Sequence, residues 1–173
     1  MLKNSLFIFV FFLFSFNINV SADIPYYLDF KFILNESTAG KKAQDFLKKK
    51  IEKGIADLKT EEKSLQDEEK KIIQQKKILK PEEYKAKVTK LRSNVSNLQK
   101  KRNSLFETVA KQRSKARNIL LKNLNPVIKT YMQDKKIRMV IDKKSLLLAD
   151  ENLDITKDIM SLLNKKLKSI KLD

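Results

Sequence analysis

A strict seven-residue repeat of apolar residues is the feature that most constrains this chain. Between residues 41 and 80 the repeating residues are Ile51, Leu58, Leu65, Ile72 and Leu79. The second position of these heptads is mostly polar, so the apolar stripe is narrow. A narrow stripe is typical of a coiled-coil seam rather than of a helix that lies on a globular core. The repeat therefore predicts a long helix that needs a partner helix.

The segment that follows has two apolar registers and can supply that partner. One register consists of Tyr84, Leu91, Leu98, Leu105 and Ile119. The other is interrupted by Arg102 and consists of Val88, Val95, Val109 and Ala116. Pro81 suits the first turn of a new helix, and the acidic pair after it favours the helix dipole. We therefore predict a reversal at Lys80–Pro81 and an antiparallel arm about 60 Å long. One continuous coiled coil without a reversal is the alternative.

The first 22 residues have the layout of a secretory signal. Lys3 precedes an apolar run from Leu6 to Phe16, and small residues end the segment at Ala22. We predict cleavage between Ala22 and Asp23, which makes this an exported protein. An uncleaved membrane anchor is the alternative, but the run has 11 residues, whereas about 20 are needed to span a bilayer.

The amino-acid composition excludes most kinds of enzymatic catalysis. The chain has no Cys and no His, and its only glycines are Gly40 and Gly54. Thiolate and imidazole catalysis, the usual zinc sites and a glycine-rich phosphate loop are therefore excluded. We predict no enzyme activity, no catalytic residue, no cofactor and no metal site, although an enzyme that uses only carboxylates remains formally open.

The segment "IRMVIDKKSLLLAD", residues 137–150, predicts a β-hairpin with its turn at Lys143-Lys144. In that register Ile141 faces Leu146 and Met139 faces Leu148. Both faces of the ribbon are apolar, so it has to be covered on both sides.

The stretch "IPYYLDF", which contains Tyr27, predicts a third strand beside this hairpin. The final segment "TKDIMSLLNKKLKSI" predicts a helix that starts near Asp154 or Thr156 and covers part of the sheet. So small a sheet leaves apolar surface and strand edges open, and we expect it to be an oligomerisation platform. Before it, Pro126 predicts a kink, or a new helix with Asn125 as its cap.

This layout resembles the Skp (OmpH-like) family of periplasmic chaperones. The most specific parts are "VIDKKSLLLAD" followed by "LDIT", and "FILNESTAGKKAQDFL" resembles the family's first helix. The resemblance implies a mostly α, α+β fold: a small sheet body built from both ends of the chain and a helical-hairpin arm, in a jellyfish-like homotrimer. The implied divisions are a signal peptide (1–22), a strand and short helix of the body (23–39), the arm (40–125, tip near 79–82) and the rest of the body (126–173).

The resemblance also implies a function and a set of contacts. Such proteins hold unfolded outer-membrane β-barrel proteins between their arms without ATP. By match to the hairpin, the trimer body would involve Tyr27, Met139, Ile141, Leu146 and Leu148. The family commonly has Gly before its second strand, where this chain has Asp134-Lys135-Lys136, so the chain departs from the family pattern at the passage from helix to strand.

Charge is concentrated in the returning helix. Residues 84–125 hold 12 basic residues and one acidic residue, Glu107, whereas residues 41–80 hold 13 basic and 8 acidic residues. Solvated helices usually mix signs, and a strongly one-signed surface attracts acidic chains and anionic surfaces. The candidate client-binding residues are Lys85, Lys87, Lys90, Arg92, Lys100, Lys101, Arg102, Lys111, Arg113, Lys115 and Arg117.

Three other interpretations of the basic charge are open besides client binding. The simplest is a lysine-rich soluble arm that has no binding role. An envelope structural protein that binds lipopolysaccharide or an anionic membrane surface needs only basic arms and a trimer. Nucleic-acid binding is disfavoured by the export signal and by the lack of clustered aromatic residues on the arms, so we expect no nucleic-acid partner.

Overall fold

A computed structural model describes residues 24–172, so the predicted signal segment and its cleavage site lie outside the described residues. Of the described residues 79% are helical, and the predicted mostly α, α+β fold is confirmed. The strands and helices, in chain order, are β1 (Tyr26–Leu28), α1 (Phe30–Glu36), α2 (Thr38–Gln74), α3 (Pro81–Asp134), β2 (Val140–Asp142) and α4 (Thr156–Lys166).

The two ends of the described chain meet in a small sheet, as predicted. Strand β1 pairs with β2 in parallel, with Tyr27 opposite Ile141. On its other edge β1 forms a parallel bridge from Tyr27 to Asp154, and the Ile155 amide donates to the Tyr27 carbonyl at 2.9 Å. Tyr27 therefore lies between two later segments of the same chain.

The predicted hairpin is wrong. Only Val140–Asp142 forms a strand, and residues 146–148 have no regular structure. The Asp142 carboxylate accepts the Lys144 amide at 3.2 Å and starts a 3₁₀ turn over Lys143–Ser145. Such a side-chain-to-backbone bond competes with a strand ladder, and Lys-Lys lacks the residues that a two-residue hairpin turn prefers. The facing pairs predicted for Ile141 and Met139 therefore do not form within the chain.

The main core joins the short elements to the end of α3. Ile33 of α1, Leu124 of α3, and Ile159 and Leu163 of α4 are fully buried. The predicted last helix is confirmed, with its start at Thr156, although it ends at Lys166 and not near Ile170. Residues 167–172 continue without regular structure.

The passage from α1 to α2 is a sharp break at Ser37. Its amide donates to the Ile33 carbonyl at 3.1 Å and so ends α1, while its hydroxyl accepts the Gly40 amide at 3.2 Å and caps α2. A Cβ atom at Gly40 would lie 2.1 Å from the Leu34 carbonyl oxygen. Only glycine fits where the first turn of α2 crosses the end of α1.

Helices α2 and α3 form the antiparallel arm. Helix α2 ends in a 3₁₀ turn over Gln75–Lys77, and α3 begins at Pro81, with Glu82 and Glu83 in its first turn. The reversal predicted at Lys80–Pro81 is confirmed, and the continuous coiled coil is excluded. With 37 and 54 residues, the two helices are about 55 and 80 Å long at 1.5 Å per residue.

Helix α3 continues through Pro126 to Asp134, so the predicted new start with Asn125 as cap is wrong. A proline removes one backbone donor from a helix interior. The flanking Leu124 and Val127 are both buried in the body. We attribute the continuity of the helix to this packing, because burial of apolar surface offsets the missing hydrogen bond.

Helix α3 ends in a motif that a glycine would normally complete. The Ile137 amide donates to the Met132 carbonyl at 2.8 Å and the Lys136 amide to the Gln133 carbonyl at 3.2 Å, which is the Schellman pattern. Lys136 has a φ of 56°, in the left-handed region that favours glycine. The left-handed turn after α3 is therefore made by a lysine.

No helix within residues 24–172 is long and apolar enough to cross a membrane.

Candidate functional site

The seam of the arm follows the predicted heptads. Leu58 and Ile72 of α2, and Leu91 and Leu98 of α3, are all buried. Where the second seam of α2 lacks apolar residues, a cleft of about 410 Å³ opens between the helices. Polar and charged side chains make up much of its lining, and Val95 is 51% exposed beside it. The middle of the arm is therefore loosely packed.

Two candidate contact residues bridge the arm helices. The Lys101 ammonium lies 2.8 Å from the Glu61 carboxylate, and the Arg102 guanidinium lies 3.3 Å from that of Glu62. Arg102, which interrupts the apolar register of α3, thus has a partner on α2. These two cations pair with carboxylates across the arm and are less available to a ligand than the sequence indicated.

Two further candidates have local partners. Lys87 donates to the Gln75 side-chain carbonyl at 2.9 Å near the tip of the arm. Lys111 lies 2.7 Å from Glu107, and its hydrogen bond and charge lower the pKa of that carboxyl. The only acidic residue of the 84–125 segment is therefore neutralised within its own helix.

The remaining candidates are exposed along α3. They are Lys85, Lys90, Arg92, Lys100, Arg113, Lys115 and Arg117. Large apolar side chains are exposed on the same arm, namely Ile55, Ile73, Ile78, Val95 and Phe106. The structure thus brings cations and apolar side chains together on the arm, and Arg92 and Val95 both line the cleft in its middle.

Sequence reasoning missed a cleft of about 790 Å³ at the root of the arm, where α1, α2 and α3 meet. Its apolar floor includes Leu34, Ala43, Leu47, Val109 and Ala116. Charged residues also line it, and they are Lys31, Asp45, Lys48, Arg113, Arg117, Asp142 and Lys144. Basic residues outnumber acidic ones in this set, so the cleft favours an anionic or acidic ligand. The sequence feature that could have indicated this cleft is the run of small residues early in α2.

The residues predicted for oligomerisation are placed differently from one another. Tyr27 is 5% exposed and is covered by its own chain. Met139 and Leu148 are 58% and 93% exposed, while Ile141 and Leu146 are half-buried. Leu147, which the predicted set omitted, is fully exposed. The apolar loop after β2 therefore has no cover within the described residues.

A polar cluster fixes the edge of the sheet beneath this loop. Burial alone would raise the pKa of Asp154, but hydrogen bonds from Thr156 and the charge of Lys143 outweigh it and lower that pKa. The Lys143 ammonium lies 3.4 Å from the Asp154 carboxylate and 5.8 Å from the centre of the Tyr27 ring. This arrangement supports structure, because it joins β1, the 3₁₀ turn and the start of α4.

Residues 24–172 contain no group of three or more acidic side chains positioned to hold a metal ion.

The OmpH-like outer membrane protein family matches residues 26–163, which is most of the chain. The protein belongs to this family. A crystal structure of an OmpH-like protein from Caulobacter crescentus CB15, provisionally named an outer membrane chaperone, superimposes with a TM-score of 0.81 at 22% sequence identity. The match covers 87% of this chain and 90% of the other. A search of curated proteins finds no significant match.

Proposed function

We propose that this protein is an ATP-independent holdase chaperone of the periplasm that binds unfolded outer-membrane β-barrel proteins between helical arms and prevents their aggregation. Membership of the OmpH-like family supports a chaperone role. The proposal rests mainly on the surface composition of the arm. Its 84–125 segment has 12 basic residues and one acidic residue, and apolar side chains such as Val95 and Phe106 are exposed among them. Such a surface suits many weak contacts with a flexible chain.

The proposed mechanism depends on charge and on multiple contacts. A basic surface attracts acidic unfolded chains and raises the rate at which they are captured. Several weak contacts on more than one arm then give avidity without a rigid site. A client held in this way stays mobile, so its own insertion and folding can drive release without an energy source.

A homotrimer is the proposed assembly. Leu147 and Leu148 are fully or almost fully exposed, and Met139, which directly precedes β2, is 58% exposed. Association of three copies through this apolar loop would cover these side chains and place three arms around a common cavity. We propose Met139, Ile141, Leu146 and Leu148 as contacts, and Tyr27 as a residue that supports them from within the chain.

The assembly is tested by light scattering coupled to size-exclusion chromatography. The mature chain from Asp23 onward is expected to run as a trimer, and Leu148→Asp is expected to yield monomers because it places a charge in an apolar interface. Phe106→Asp, on the exposed arm, serves as the control and is expected to remain trimeric. A monomeric mature chain would contradict the proposed assembly.

The holdase activity is tested by diluting a urea-denatured outer-membrane β-barrel protein into buffer with the mature chain and no ATP. Suppressed scattering near one trimer per client is expected, and it should persist at moderate salt. Reversal of Lys85, Lys90 and Arg92 to Glu on α3 should weaken suppression more than reversal of Lys49, Lys53 and Lys59 on α2. No suppression, or equal suppression by any polycation of the same charge, would contradict the proposal.

An envelope structural protein that binds lipopolysaccharide or an anionic membrane surface is the second candidate, favoured by the same exposed cations. Charge reversal on α3 should abolish surface binding, because that binding depends on charge alone. It should only weaken the capture of unfolded chains, which also make apolar contacts. Equal and complete loss of both activities would favour the structural role.

A further inference from the structure

The segment after α4 crosses from the body to the root of the arm. This strap (residues 167–172, "LKSIKL") begins in extended conformation at Leu167, with φ −127° and ψ 108°. Leu167 and Ile170 contact the core of the body, and Ile170 also contacts the cluster at the arm root. Leu172 is only 2% exposed within that cluster. Ile170 and Leu172, two residues apart, thus occupy the arm root as alternate residues of an extended chain do.

The arm holds the strap by a side-chain amide. The Gln112 side-chain NH₂ donates to the backbone carbonyl of Leu172. Its carbonyl oxygen Oε1 is buried and accepts no hydrogen bond from the described part of the chain. A side-chain amide has both donors and an acceptor, so it can bind the C=O and the N–H of an extended backbone together. Only its donor is used here, although a buried acceptor without a partner is unfavourable.

The strap covers only part of the apolar surface at the arm root. Ala43, Leu47, Val109 and Ala116 form the cluster around Leu172, and all four also line the cleft of about 790 Å³. Clefts of 300 to 1,000 Å³ are the usual size of ligand sites. The surface that binds Leu172 therefore continues into open space large enough for further side chains.

The charge of the strap is poorly matched to this surface. Its polar positions include the exposed Lys168 and Lys171, while the charged lining of the adjoining cleft is five basic residues and two acidic ones, Asp45 and Asp142, a net positive charge. Like charges oppose one another. A segment with the same apolar residues and acidic residues in place of the two lysines would be attracted instead.

From these observations we propose that the arm root is a binding groove for extended peptide segments in which an acidic residue lies between two apolar ones, and that the strap occupies this groove as a weakly held substitute. Apolar residues at every second position are the pattern of β-barrel strands, so the inference deepens the proposed holdase function and rests on it. A client segment would displace Leu172, use the Gln112 amide and place its acidic side chains near the cations of the cleft.

Because a peptide must compete with the strap, its measured affinity depends on the fraction of molecules in which the groove is open. The apparent dissociation constant equals the intrinsic one divided by the fraction of open groove. We expect Leu172→Ser, which removes the anchor of the strap, to tighten the binding of a fluorescein-labelled peptide LESIEL by about tenfold. Leu162→Ser, at an exposed position of α4, is the matched control and should leave the affinity unchanged.

Two other peptides test the chemistry of the groove. LKSIKL, which copies the strap, should bind more weakly than LESIEL at low salt, and the difference should shrink as salt increases. LESSES, which lacks the second and third apolar residues, should not bind. Equal affinity for LESIEL and LKSIKL, or binding of LESSES, would overturn the proposal, because either result would mean that the groove does not read this pattern.

Hydrogen exchange in the unmodified protein gives a test that does not depend on any variant. Saturating LESIEL should speed amide exchange in residues 169–172 and slow it near Gln112. In the Leu172→Ser background, Gln112→Leu should weaken peptide binding by about fivefold or more, because two hydrogen bonds to the peptide backbone are lost. Unchanged exchange in the strap at saturation would overturn the proposal.

The aggregation assay separates this inference from the proposed function. If the mature chain suppresses aggregation but LESIEL neither binds nor displaces the strap, the proposed peptide groove is wrong and the proposed holdase function is supported. If the peptide displaces the strap but aggregation is not suppressed, the peptide groove stands, and both the holdase and the client assignment of the groove are wrong.

Discussion

The root and the middle of the arm are built from the same two helices but are packed in different ways. At the root, Leu47 of α2 and Val109 of α3 are buried, and a Cβ atom at Gly54 would lie 2.6 Å from the side chain of Leu105. In the middle, a cleft of about 410 Å³ separates the helices and Val95 is 51% exposed. Small residues let the helices approach at the root, whereas charged residues occupy the facing positions further out.

This difference divides stability and binding between the two regions. The root fixes the arm to the body through a buried apolar cluster that lies beside its own cleft, and burial of apolar surface is the dominant favourable contribution to stability. The middle is held mainly by a narrow seam and by solvent-exposed ion pairs, which contribute little. A loosely packed middle leaves apolar and basic side chains available to a ligand, while the root keeps the arm in place.

The largest expected effect on stability comes from truncating a buried leucine at the root, compared with truncating an exposed valine in the middle. Leu47→Ala should lower the free energy of unfolding by about 2 to 5 kcal/mol, because it leaves a cavity at the root. Val95→Ala in the middle should change it by less than about 0.5 kcal/mol. Urea unfolding followed by circular dichroism measures both, and similar losses for the two variants would contradict the contrast.

The close approach at Gly54 is the next test. Gly54→Val should destabilise the protein by about 1 to 3 kcal/mol, because the new side chain would collide with Leu105. Ala56→Val, on the exposed side of the same helix, introduces the same residue without the collision and is the control, although it starts from a better helix former than glycine. Adding Leu105→Ala to Gly54→Val should recover part of the loss. Equal melting temperatures for the two valine variants would mean that the helices are not in close contact at the root.

A glycine at the turn between α3 and β2 should make the protein more stable. Lys136→Gly should raise the free energy of unfolding by about 1 kcal/mol, because it removes the unfavourable left-handed conformation of a residue with a Cβ atom. Lys135→Gly, one residue earlier and with φ −94°, should give no such gain. Thermal unfolding compares the two, and a lower melting temperature for Lys136→Gly would contradict the motif.

Tyr131 reports on packing at the body end of α3. Burial, followed by its hydrogen bond of 2.6 Å to Asp158, raises the pKa of Tyr131 to about 12. Since the folded pKa lies above the usual value of about 10, this group stabilises the fold below pH 10 and the contribution is lost as the pH rises through 12.

Ultraviolet titration at 295 nm should therefore show one late-titrating tyrosine that Tyr131→Phe removes. The same substitution should lower stability by about 1 kcal/mol at neutral pH, because a hydrogen bond is lost. Tyr84→Phe, near the arm tip, is the control and should leave the late component in place. Loss of that component in Tyr84→Phe would contradict the assignment.

The smallest effect is expected for the ion pairs of the middle. Glu62→Gln removes the pair with Arg102, whose side chain is 39% exposed, so the loss should stay below about 1 kcal/mol. At about 1 M salt the variant and the parent should have equal stability, because exposed charges are screened. A larger loss that persists at high salt would mean that the middle is held as firmly as the root.

Local sequence patterns predicted the helical part of this fold and some of its boundaries, although not the break at Ser37 or the continuation of α3 past Pro126. The heptads gave the seam, Pro81 gave the reversal, and the apolar spacing after Thr156 gave α4. These predictions succeeded because a helix forms its hydrogen bonds within one segment, so spacing and capping residues are sufficient to indicate it. The candidate cations on α3 were also visible in the sequence, because a run of one charge sign needs no tertiary information.

The tertiary structure alone decided which distant segments meet. It left β2 without the hairpin partner that the sequence predicted, placed Arg102 against Glu62, and put Leu172 beside Gln112 at the arm root. The partner of a strand edge or of a buried amide is chosen by the surfaces that burial brings together, not by the neighbouring residues along the chain. The sequence by itself determined the helices and the charge of the arm, and the packing of its two ends determined where a groove could form.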